Sequence, residues 1–80
     1  QSSGDLIADR RYGMAREFRE RGDHAAAIDL LEQTVERTPG FAAAWFDLGD
    51  LREIAGDRAG AVAAFEHALA ADPSDRHGAG

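Results

Sequence analysis

A chain of 80 residues forms one small domain that buries only about 60% of the surface its unfolded form exposes, so its core is thin. It contains no cysteine, which excludes a disulfide framework and a zinc–thiolate site as sources of stability. Its formal net charge of −6 repels phosphate backbones and argues against a nucleic-acid partner.

The opening Gln1-Ser2-Ser3-Gly4 reads as a trimmed tail, and residues 1–7 as a tail or an extension of the first helix. That helix is expected near 5–21, with Met14 and Phe18 on its apolar side. Gly22 ends it, because glycine adopts the left-handed conformation at a helix terminus without steric cost. Asp23 is placed to cap a second helix near 24–37, which carries Ala27, Ile28, Leu31 and Val35 inward. Thr38-Pro39-Gly40 makes the next turn. A third helix near 41–55 sets Trp45, Leu48 and Leu51-Arg52 at helical spacing, and Trp45 is expected to be largely buried between the two halves of the chain. Gly56 and Asp57 repeat the stop-and-cap pair before a fourth helix near 58–71, whose inner face is read as Ala61, Val62, Phe65, Ala68 and Leu69. Asp72-Pro73 ends that helix, and 76–80 is a tail. The expected fold is all-α. Small residues at the crossings (Ala27, Ala61 and Ala68, with Ala15 and Gly49 opposite) let the helices approach closely.

The chain aligns with itself at an offset of 34 residues. Ala8/Ala42, Gly22/Gly56, Asp23/Asp57, Ala25/Ala59, Ala27/Ala61, Glu32/Glu66 and Pro39/Pro73 are identical. Tyr12/Phe46, Met14/Leu48, Ile28/Val62, Leu31/Phe65 and Val35/Leu69 pair apolar with apolar. Glycine, aspartate and proline recurring together at the punctuation points is the mark of stacked supersecondary units, here 8–41 and 42–75.

This pattern resembles the tetratricopeptide (TPR) repeat, W-x2-L-G-x2-Y, then A-x3-F, then A and P. The second unit matches it with Trp45, Leu48, Gly49, Ala61, Phe65, Ala68 and Pro73, and departs at Arg52, where an aromatic is usual. In the first unit Met14, Ala15, Phe18, Ala27, Leu31 and Pro39 fit, Arg11 stands in the tryptophan position, and Thr34 replaces a small alanine. Arg11 reads either as a polar cap on a terminal repeat or as a contact to sequence upstream. The resemblance implies a short right-handed α-solenoid of two hairpins, with a concave groove lined by the first helix of each unit and serving to bind a peptide or partner protein. The ending, Ala71 to Gly80 after an alanine-rich repeat, resembles the junction in bacterial predicted methyltransferases. These carry a short TPR module ahead of an S-adenosylmethionine-dependent domain; no methyltransferase glycine motif stands in this chain.

By the family's pattern the groove residues are Tyr12, Arg16 and Arg19 from the first unit and Phe46, Asp47, Asp50 and Glu53 from the second. They read as a mixed pocket, in which aromatics anchor apolar groups, arginines take a carboxylate and acids take a basic side chain. The competing reading is a solvated helix face with internal arginine–acid pairs. Asp47 would repel a terminal carboxylate, so the carboxylate-clamp specificity of some chaperone-binding relatives is not carried over. Asp47, Asp50 and Glu53 share a helix face that would suit a basic segment or simply face water.

His24, His67 and His77 lack metal-ligand spacing and read as surface residues. Serines occur only at Ser2, Ser3 and Ser74, so no nucleophile–base constellation forms. Gly56-Asp57-Arg58-Ala59-Gly60 lacks the spacing and the lysine of a phosphate loop. No catalytic residue, metal or cofactor is expected. No apolar run approaches the about 20 residues that span a bilayer, and no signal-peptide pattern is present, so a cytoplasmic location is expected. All nine basic residues are arginine, a usage expected of a GC-rich bacterial genome.

Three functions are consistent with these features. The first is a protein-interaction module that binds a partner segment in its groove. The second is the accessory domain of a larger enzyme, a methyltransferase by the weaker resemblance. The third is self-association. Stacked repeats need about three units for stability, and two are present. The last helix, with Val62, Phe65, Leu69 and many alanines, packs one side on its own unit, and its other side is therefore expected to be covered by a two-fold copy of itself or by further chain.

Overall fold

The computed structural model describes residues 5–73. Asp5 opens helix α1 (Leu6–Glu20), its carboxylate accepting hydrogen bonds from the Ile7 and Ala8 N–H groups at 3.1 and 3.4 Å. Gly22 then turns the chain at φ +85°, a conformation glycine alone adopts cheaply. The turn is sealed from both sides. The Asp23 N–H donates to the Phe18 carbonyl and the Gly22 N–H to that of Arg19, both at 2.9 Å, which satisfies the end of α1. The Asp23 carboxylate accepts from the Ala26 N–H and starts α2 (His24–Arg37).

The second hairpin repeats this chemistry. Helix α3 (Ala42–Ile54) ends at Gly56, with φ +88°, and Asp57 accepts from the Gly60 N–H at 2.9 Å to start α4 (Arg58–Ala71). The start of α3 differs, since Phe41 occupies the cap and no side chain bonds the free N–H groups there. Within each hairpin the two helices pack against each other, and α2 packs on α3 to join the hairpins. The fold is all-α, as the sequence implied.

The core runs along the middle of this stack. Leu31 and Val35 of α2 cluster with Phe41, with Ala44, Leu48 and Leu51 of α3 and with Ala64 of α4. Thr34 is fully buried where the repeat prefers alanine, and its hydroxyl donates to the Leu30 carbonyl at 2.7 Å; among the described residues no buried side-chain polar atom lacks a partner. A side chain at Gly49 would strike the Phe65 ring at 2.6 Å, so glycine at that crossing is a packing requirement.

Four expectations about packing change. Val62 and Leu69 are exposed and do not form the inner face of α4; Ala61, Ala64, Ala68 and half-buried Phe65 do. These inner residues recur at i, i+3, i+4 and i+7, while Val62 and Leu69 lie about 100° further round. Trp45 is only half-buried. Its indole N–H donates to the Pro39 carbonyl at 2.8 Å, and its ring stacks on His67 at 4.2 Å between centroids, which also gives His67 a packing role. Met14 is largely open because no helix precedes α1 in the described chain to cover it. Phe46 is the fourth, and it bears on the groove.

Candidate groove site

Helices α1 and α3 border a cavity of about 400 Å³ lined by Tyr12, Arg16, Arg19 and Glu20 of α1 and Asp47 of α3. The α1 residues come together because 12, 16, 19 and 20 recur at i, i+4, i+7 and i+8, one face of a helix. Tyr12 is the wall of the site. Its ring packs at 4.9 Å, tilted, on buried Phe41, which fixes it from behind, and the Arg16 guanidinium lies 5.8 Å from the ring centroid. Burial, and then the Asp47 carboxylate beside it, push the Tyr12 phenol above its ordinary value, so it stays a neutral donor at physiological pH.

The charges are arranged unequally. Arg19 reaches Asp47 at 3.9 Å, a loose pair across the two helices. Among the described residues no acid lies within ion-pair distance of Arg16, which is exposed. A partner carboxylate would therefore meet a guanidinium beside an aromatic face.

Of the residues expected in the groove, Tyr12, Arg16, Arg19 and Asp47 converge. Phe46 does not: it is only 8% exposed, and its ring faces Phe65 at 6.0 Å between centroids. The second aromatic anchor is thus a core residue. Asp50 is half-buried and Glu53 exposed, and neither borders the cavity. Glu20 does border it, and its position one turn beyond Arg16 would have revealed it from the sequence. Its counterpart at the 34-residue offset is Ile54, an exposed apolar residue at the end of α3.

Among the described residues no three His, Asp or Glu side chains gather for a metal ion, and no helix is long and apolar enough to cross a membrane. Ser2, Ser3, Ser74 and His77, the 76–80 tail, and most of the run behind the methyltransferase resemblance lie outside the described residues.

Paired helical hairpins with glycine stops, aspartate caps and small residues at the crossings define a helical-repeat protein. The tetratricopeptide repeat family matches residues 12–76, and the chain belongs to that family. It is 40% identical over 60 residues to a TPR repeat-containing protein of Pseudomonas aeruginosa, an alignment covering 75% of this chain and 57% of that protein. The chain therefore spans little more than half the length of this relative. Tetratricopeptide repeats generally mediate protein–protein interaction.

Proposed function

We propose that this domain binds an extended partner segment across the α1–α3 groove, with an acidic side chain on Arg16 and a neighbouring apolar side chain on Tyr12. The observation that carries the reading is the convergence of Tyr12, Arg16, Arg19, Glu20 and Asp47 on one cavity. A planar guanidinium beside an aromatic face suits a carboxylate flanked by carbon, since the charge-assisted hydrogen bond and ring contact form together. Glu20 and Asp47 flank the site and disfavour a segment carrying several acids. The domain acts as a non-catalytic docking element, whether alone or within a longer polypeptide.

Selection of a random peptide library against the domain tests this. Enriched peptides are expected to share one acidic position next to an apolar one, and Arg16→Glu is expected to abolish their binding while leaving the melting temperature unchanged. Enrichment of basic peptides, or full binding by the Arg16→Glu variant, would refute the assignment.

A further inference from the structure

The two ends of the molecule are complementary to each other in the same way as its two halves. Inside the chain, Ile28, Glu32, Val35 and Glu36 of α2 share a junction with Phe41, the residue before α3, and with Trp45, Leu48 and Arg52 of α3. Moving 34 residues forward converts the α2 face into Val62, Glu66, Leu69 and Ala70 on α4. Moving 34 residues back converts the α3 face into Ile7, Arg11, Met14 and Phe18 on α1. Both derived faces are open over much of their length, Arg11 and Phe18 being half-buried. Leu69 is 50% exposed where its counterpart Val35 is 6%, and Val62, Ile7 and Met14 are exposed as well.

One substitution between the repeats turns this likeness into a match. In the internal junction Trp45 of α3 and Glu32, Val35 and Glu36 of α2 border one hollow of about 300 Å³. On α4 a hollow of about 270 Å³ is bordered by Ala63, Glu66, His67 and Ala70, of which Glu66 and Ala70 are the counterparts of Glu32 and Glu36. The α1 residue at the Trp45 position is Arg11, which carries a charge opposite to that of Glu66. A second copy seated there by the geometry of the internal junction would bring Arg11 to Glu66 and Met14 to the Leu69 side. In that junction Glu32 is held by Arg52 at 3.2 Å; the α1 counterpart of Arg52 is Phe18, so the cation that answers Glu66 in the copy-to-copy contact is Arg11, two turns earlier.

We propose that copies of this chain associate head to tail, the outer face of α4 in one copy receiving the outer face of α1 in the next. The occupant of each open face is a second copy of the chain, and the contact continues the α2–α3 junction. Such an interface uses two different surfaces, so each copy keeps one face free for the next and association does not stop at a dimer. It leaves the groove cavity uncovered along the row, and it stands independently of the groove assignment.

Sedimentation velocity on two blocked variants tests this. Met14→Glu closes the α1 face and Leu69→Glu the α4 face; both residues are exposed, so circular dichroism is expected to show unchanged helicity. Wild type is expected to grow past the dimer as concentration rises. Each variant alone is expected to remain a monomer, while an equimolar mixture sediments as a dimer, because each supplies the face the other lacks. Adding Glu66→Arg to the first variant or Arg11→Glu to the second is expected to abolish that dimer, and adding both to restore it. Monomeric wild type at all concentrations would overturn the proposal and assign the open faces to flanking polypeptide. Dimerisation of Met14→Glu alone would overturn it in favour of two-fold pairing through α4, and single charge swaps without effect would overturn the Arg11–Glu66 register.

Discussion

Met14 and Leu48 hold the same place in two copies of one helical hairpin, yet Met14 is 44% exposed and Leu48 is fully buried. The difference is one of neighbours. Helix α3 lies between α2 and α4 and buries Ala42, Ala44, Phe46, Leu48, Gly49 and Leu51, whereas α1 packs mainly on α2 and buries only Ala8 and Ala15. A repeat that buries its apolar face by stacking thus has positions whose burial depends on where in the array they fall. The same helix face serves as core in the second hairpin and as open surface in the first.

The sharpest way to test this contrast is to truncate both residues. Leu48→Ala is expected to cost about 2–5 kcal/mol, the range for a buried leucine whose cavity stays partly open. In a domain of about 5–15 kcal/mol total stability that is a large loss. Met14→Ala, removing a side chain that is already 44% exposed, is expected to cost clearly less, about 1 kcal/mol. Thermal unfolding followed by circular dichroism measures both. Equal losses would mean that α1 is as enclosed as α3.

The helix crossings differ as a matched pair. Gly49 faces Phe65 in the second hairpin, and the same positions hold Ala15 and Leu31 in the first, all buried or half-buried. Each crossing combines one smaller and one larger partner, and the sizes shift together. Gly49→Ala is expected to cost about 1–3 kcal/mol through overpacking against the Phe65 ring. Adding Phe65→Leu, which copies the first hairpin, is expected to recover most of that loss. A double variant no better than the single one would show that the two crossings are not interchangeable.

Much of this organisation is legible in the sequence, and the reason is local. The Gly22-Asp23 and Gly56-Asp57 pairs do at each turn what glycine and aspartate do in any context, so the turns and helix limits follow from a few residues. Side-chain burial is less legible, because it depends on which neighbour a helix has. Phe46 and Tyr12 occupy equivalent positions, and the repeat alone does not show that one enters the core while the other walls a cavity. Trp45 reads as a core residue from its size, but Pro39 and His67 hold it at the margin. The inner face of α4 is hard to read from the sequence for a related reason. Alanine carries little pattern signal, so larger Val62 and Leu69 mask the true seam of Ala61, Ala64 and Ala68.

The smallest contrast lies at the helix starts and separates the hairpins by pH. Asp5 caps α1, accepts from the Arg37 guanidinium at 2.8 Å and from the Thr38 hydroxyl at 3.0 Å, and so ties the start of α1 to the end of α2. The equivalent position before α3 is Pro39, and the Phe41 cap offers no carboxylate. Partial burial opposes ionisation of Asp5, but the Thr38 hydroxyl, the Ala8 N–H and the Arg37 guanidinium outweigh it, leaving the carboxyl below its ordinary 3.8. A group whose folded value is depressed contributes stability that is present above the unfolded value and lost as pH falls through the folded one. Asp5→Asn is therefore expected to lower the melting temperature by a constant small amount from about pH 7 to about pH 5, where the unfolded carboxyl is ionised. The gap should narrow as acid protonates the wild-type carboxyl, until the two proteins melt alike. A gap that persists unchanged at the acid end would show that the Asp5 charge contributes nothing to this tie. The equivalent position in the second hairpin has no carboxylate to titrate, so the acid-dependent part of the difference belongs to the first hairpin alone.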